Sequence, residues 1–218
     1  MADQLLLGTV LGLVHYFGEA INPKLEKYHS ELISLSAGIF TAILFVDLLP
    51  AAANDNLNFS LILAGFVIYH IIEKTVYMRH PLQFGKGELN LAGFFITNFR
   101  NGLAIALLYV TDPRLAGLVM APLIIAELAT STLVASIIRR VRNGKQYRLA
   151  LAASVPLGAF VGAVLSPAPA LANNVLAFVI GTMFYIVIRD MLPTYKKGKT
   201  SYFVAGVVAM WALQALLA

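Results

Sequence analysis

The sequence predicts an all-α integral membrane protein of eight transmembrane helices, and three observations lead there. First, 59% of the 218 residues are apolar and only 12% are Asp, Glu, Lys or Arg, whereas a soluble domain usually carries about a quarter charged residues. Second, the charges cluster and leave apolar runs close to the ~20 residues that span a ~30 Å hydrocarbon core as a helix. Third, the basic residues fall in alternate loops. Runs such as Leu61–Tyr69 do not alternate apolar and polar positions as a membrane β-barrel requires.

Taken in order, the expected spans are Leu5–Ile21, Leu32–Leu49, Phe59–Met78, Leu91–Val110, Leu115–Ile138, Arg148–Leu165, Asn174–Leu192 and Tyr202–Leu217, a single transmembrane domain over residues 1–218. Helix stops are expected at Asn22-Pro23, Pro50, Asp112-Pro113, Ser166-Pro167 and Leu192-Pro193, where proline cannot continue a hydrogen-bonded turn. The start, Met-Ala-Asp-Gln, lacks the basic region of a cleaved signal peptide, so the first apolar segment is expected to be kept as a helix. The absence of cysteine excludes disulfides and thiolate metal sites. The net charge of +5 does not point to nucleic acid, because the basic residues sit in short loops between apolar spans.

Those loops set the orientation. Lys24 and Lys27 lie between spans one and two; Lys74, Arg79 and Lys86 between three and four; Arg139, Arg140, Arg142, Lys145 and Arg148 between five and six; Lys196, Lys197 and Lys199 between seven and eight. They make 13 of the 16 basic residues. The intervening loops hold only Arg114. By the positive-inside rule both termini are then expected outside the cytoplasm.

Span two ends Ile43-Leu44-Phe45-Val46-Asp47-Leu48-Leu49-Pro50, and span seven ends Ile186-Val187-Ile188-Arg189-Asp190-Met191-Leu192-Pro193, with Gly38 aligned to Gly181. Spans three and eight echo each other at a slightly different offset: Ser60, Ala64, Gly65 and Val67 against Ser201, Ala205, Gly206 and Val208. Span two runs outward and span seven inward. The expectation is therefore an inverted repeat in a three-two-three plan, an arrangement common in transporters.

Polar residues inside the spans are the site candidates. Asn98 and Asn101 share a face of span four, as do Thr97 and Asn101. Glu127 lies near the middle of span five, with Thr130 and Ser131 on its face and Pro122 more than one turn earlier. Pro122 and Pro156 should each kink their helix and release a carbonyl. A carboxylate at bilayer depth is expensive and marks a functional candidate; the plainer alternative is a protonated Glu127 bonded to Asn or Thr. The asparagines have a plainer reading as interhelical glue, and Asp47 and Asp190 as interfacial or capping carboxylates. His70 reads as a packed, hydrogen-bonded histidine, and Glu73 and Lys74 as residues snorkelling to the cytoplasmic end. Arg100 stays charged; Glu127 is its expected partner, Asp47 the next.

These segments resemble the ZIP (Zrt/Irt-like) family of divalent-metal transporters, over nearly the whole chain. Asn98-Phe99-Arg100-Asn101-Gly102-Leu103-Ala104-Ile105 looks like the family's HNFxDGLAIG, the most specific match. Ser36-Ala37-Gly38 through Asp47-Leu48-Leu49-Pro50 looks like AAG…HLLPEA; Gly65-Phe66 through Glu73-Lys74 looks like GFLLFFLLEK; Pro156-Leu157-Gly158-Ala159 looks like EPLGALLG. The resemblance implies a bundle of eight helices, external termini and a three-two-three inverted repeat. It also implies a two-metal site, most of whose ligands are replaced here. The span-four positions read Thr97, Asn98 and Asn101, and the span-five positions Ala126, Glu127 and Thr130. The span-six Glu falls at Val155, the span-two His at Asp47, the Glu after its proline at Ala51, and an earlier Met at Phe40. Asn98, Asn101 and Glu127 are thus the metal candidates, and Thr97, Arg100, Thr130, Ser131 and Asp47 the polar residues of a transport path.

Zinc prefers four His, Cys or carboxylate ligands, so this set reads as degenerate. The expected function is a ZIP-like permease carrying a divalent cation, zinc or a similar metal, into the cytoplasm. The alternatives are a ZIP-fold transporter of a non-metal, anionic solute read by Arg100, and a non-transporting regulatory or scaffold protein. No His-Glu-x-x-His, Ser-Lys pair or Gly-Asp motif of an aspartyl protease supports catalysis. No resident cofactor is expected. The expected partners are the lipid bilayer, a small inorganic ion or solute, and a homodimer mate; the expected location is the cell membrane.

Overall fold

A computed structural model describes residues 1–52, 56–79, 86–139, 141, 143–193 and 198–217. All secondary structure among them is helical: α1 (Ala2–Leu25), α2 (His29–Ile43), α3 (Leu49–Ala52), α4 (Asn56–Arg79), α5 (Lys86–Thr111), α6 (Pro113–Ile138), α7 (Gly144–Leu165), α8 (Pro169–Ile186) and α9 (Thr200–Leu217). Among the described residues, five segments are long and apolar enough to cross a membrane: His29–Leu48, Leu91–Thr111, Pro113–Ser131, Gly144–Leu165 and Pro169–Arg189. Asn58–Ile72 and Thr200–Leu216 are shorter apolar helices. This composition is compatible with a multi-pass membrane protein. The side chains of Lys24, Glu73 and Asp190 lie outside the described residues.

Helix ends follow local chemistry. The Asp112 carboxylate accepts from the Arg114 and Leu115 N–H groups at 2.9 and 3.1 Å, with Pro113 in the first turn of α6, where its missing N–H costs nothing. Two expected stops are corrected. The chain stays helical through Asn22-Pro23 to Leu25 and enters α2 by a 3-10 turn, Glu26–Tyr28; so near the end of a helix, proline forfeits a single bond. Pro50 does not end its helix either. It sits second in α3, behind a π turn over Leu44–Leu48 in which the Leu49 N–H bonds the Leu44 carbonyl. The same turn recurs over Val187–Met191, where the Leu192 N–H bonds the Val187 carbonyl at 3.0 Å. A widened turn ahead of Pro50 relieves the clash between its ring and the carbonyl four residues back. After the second turn Leu192 is extended, at φ −60° and ψ 132°, as a residue before proline prefers, and the helix ends.

Helices α1, α5, α6 and α7 pack on one another as an inner bundle; α4 pairs with α8 and α2 with α9, while α2 leans on α6 and α8 on α5. Exchanging α1 with α7, α2 with α8, α4 with α9 and α5 with α6 maps these pairs onto one another. The correspondence reaches single residues. A Cβ on Gly38 would strike the Phe203 carbonyl, and one on Gly181 the Ile62 carbonyl; one on Gly65 would strike the Phe178 carbonyl, and one on Gly206 the Leu35 carbonyl. Gly38 and Gly181, like Leu35 and Phe178, are 143 apart, whereas Ile62 and Phe203, like Gly65 and Gly206, are 141 apart. Only glycine allows backbones this close, and close approach is what packs apolar helices where burial from water contributes little.

Burial is inverted relative to a soluble protein. Large apolar side chains face outward, among them Leu6 and Phe17 on α1, Phe59 and Leu63 on α4, and Val208 and Trp211 on α9. His15, Asn98, Arg100, Asn101, Glu127 and Ser131 are buried inside, beside a core that includes Leu11, Ile105, Leu123 and Val155.

Candidate functional site

The inner bundle is held close by small residues next to the polar ones. A Cβ on Gly102 of α5 would meet the Val155 carbonyl of α7, and one on Gly158 of α7 would meet the Phe99 carbonyl of α5. That contact places Asn98 and Asn101 against α7. Across the bundle, a Cβ on Gly18 of α1 would run into Ser131 Oγ of α6, which brings α1 onto α6 one turn from Glu127.

At this crossing His15 Nδ1 lies 2.7 Å from Glu127 Oε2. His15 is 0% exposed and Glu127 2%. Asn101 Nδ2 donates to the other carboxylate oxygen, Oε1, at 3.0 Å. The Asn98 amide bridges the pair. One end is 3.4 Å from His15 Nδ1 and 3.3 Å from the Leu151 carbonyl of α7; the other is 3.2 Å from both the Phe94 carbonyl and Glu127 Oε1. Arg100 Nη2 donates to Asn101 Oδ1 at 2.6 Å, and Nη1 donates to the Thr182 carbonyl of α8 at 3.4 Å. The result is a continuous polar chain, His15–Glu127–Asn101–Arg100, drawn from α1, α6 and α5.

The three expected metal candidates, Asn98, Asn101 and Glu127, are therefore brought together. Of the expected path residues Arg100 joins them, and Thr97, Thr130, Ser131 and Asp47 bond elsewhere. Thr97 Oγ1 pairs with the Tyr69 hydroxyl at 3.2 Å. The Thr130 hydroxyl donates to the Ala126 carbonyl at 2.9 Å, and Ser131 Oγ to the Leu128 carbonyl at 2.8 Å, both within their own helix. Hydroxyls that bond the preceding turn in this way present no donor elsewhere. Asp47 accepts from Gln214 of α9. The expected direct pairing of Arg100 with Glu127 is also corrected: among the described residues the carboxylate's ionic partner is His15, and Arg100 reaches it through Asn101. Pro122 and Pro156 both lie inside unbroken helices, and Ser36 Oγ donates to the Pro122 carbonyl at 2.9 Å. His70 is hydrogen-bonded as expected, 3.0 Å from the Tyr185 hydroxyl.

Sequence reasoning missed His15. The signal was present: a polar side chain within an apolar run, the criterion that singled out Glu127. Among the described residues, no three His, Cys, Asp or Glu side chains converge as a metal cluster. The donor set at the site is one imidazole, one carboxylate and two amides, a mixed nitrogen and oxygen set suited to borderline first-row divalent metals rather than to soft ones. No family model and no curated protein matches this chain.

Proposed function

We propose that this chain is a multi-pass membrane permease of ZIP-like architecture that carries a divalent metal cation, zinc or a similar one, into the cytoplasm. The carrying observation is the His15–Glu127 contact at 2.7 Å, flanked by the amides of Asn98 and Asn101 inside an apolar bundle. His15 gives the site a nitrogen ligand that the span-four and span-five motifs lack. With α1, α4 and α9 added to the five longer spans, the chain crosses eight times, its basic loops lie in the cytoplasm and both termini lie outside. Helices α2 and α8 then run in opposite directions, and the exchange that relates their contacts is an inverted three-two-three repeat. Midplane sites between such repeats are the usual seat of transport.

Uptake of Zn²⁺, Mn²⁺ and Co²⁺ into proteoliposomes tests this reading. Flux is expected with the wild type and loss of at least about tenfold, no less than the loss of an outer-shell partner costs at a metal site, in Glu127→Ala and His15→Ala. Absence of both flux and bound metal would sink it. Arg100, only 8% exposed, favours one competing reading, an anionic solute; there Arg100→Ala abolishes transport and metals have no effect.

A further inference from the structure

We infer that Arg100 is a resident counter-cation of this site, and that a divalent cation must displace its guanidinium from Asn101 in order to bind. The inference rests on the cation-permease reading and specifies which residue sets the site's affinity. An amide ligates a metal through its oxygen, because its nitrogen carries two protons and no available lone pair. Asn101 Oδ1 is engaged by Arg100 Nη2 at 2.6 Å, and its nitrogen faces Glu127 Oε1 at 3.0 Å. As it stands, Asn101 shows the carboxylate the end that cannot bind a metal. Rotating the amide by half a turn would set its two N–H groups against the guanidinium, donor against donor. The oxygen becomes a ligand only when the Arg100 bond breaks.

Charge acts in the same direction. Arginine does not deprotonate in a protein, so a fixed positive charge stands one amide away from the place a cation would take. The guanidinium is also bonded to the Thr182 carbonyl of α8, which gives it a second anchor while Asn101 is given up. Arg100 thus holds the empty site together and weakens the filled one.

Zn²⁺ binding by isothermal titration calorimetry, on full-length protein in nanodiscs, tests the inference. Arg100→Met is expected to bind Zn²⁺ about tenfold more tightly than the wild type, because it frees Asn101 Oδ1 to turn toward the cation, with Glu127→Gln abolishing binding in either background. Equal or weaker binding by Arg100→Met would overturn the inference and leave the permease reading intact. No binding by either protein would overturn both. Should Arg100→Met fail to fold, the wild type still decides: in ¹⁵N-arginine-labelled protein, Zn²⁺ must shift the Arg100 side-chain resonances, assigned by their loss in Arg100→Lys. Unmoved resonances under saturating Zn²⁺ would overturn the inference.

Discussion

At 2% exposure Glu127 depends on its neighbours for every hydrogen bond. Removing one partner of a buried pair leaves the other unsatisfied, at a cost of about 1–3 kcal/mol for a polar group and more for a charge. His15→Leu and Glu127→Leu should therefore each lower the unfolding temperature. The double variant should lose less than the sum of the two, with a coupling of roughly 1–2 kcal/mol. Simple additivity in a thermal melt would show that the pair does not form. Much of this site was legible: Glu127, Asn98 and Asn101 stand out because apolar runs rarely tolerate them. The His15–Glu127 bond was not, because it joins positions 112 residues apart. Thr97 and Thr130 bond an adjacent helix and the preceding turn respectively, partners that spacing along the chain does not reveal.

At the level of helices, the four buried glycines of the α2·α9 and α4·α8 pairs make a paired prediction. Gly38→Val and Gly181→Val would each drive a side chain into a carbonyl of the facing helix, and their losses of stability should be comparable, on the order of 1–3 kcal/mol each. Gly93, with nothing within 4 Å of a built Cβ, is the control: Gly93→Ala should be neutral or stabilise α5 by about 0.5–1 kcal/mol through lost chain freedom. Tolerance of one member of the pair alone, measured by thermal unfolding in detergent, would break the equivalence. The likeness of Asp47-Leu48-Leu49-Pro50 to Asp190-Met191-Leu192-Pro193 was legible in the sequence, and a π turn precedes both prolines. The π turns themselves were not, since a single added residue per turn leaves no mark in composition. The end of α1 was misplaced because a single proline removes one backbone bond, which a helix can tolerate.

For the whole molecule, the absence of cysteine makes topology directly measurable. Single cysteines replacing Lys27, Lys145 or Lys199 should react with an impermeant maleimide only from the cytoplasmic side. Cysteines at Asp112 or Ala168 should react only from outside. Any two of the first group labelling from opposite faces would refute eight crossings. On the permease reading, a divalent cation at Glu127 and Asn101 adds two charges to whatever the empty site carries, and each charge crossing the membrane field is worth about 2.3 kcal/mol per 100 mV. The cell's resting voltage then favours inward movement of the loaded form over the empty one. A carrier of this kind is driven by electrical potential as well as by the gradient of its cargo.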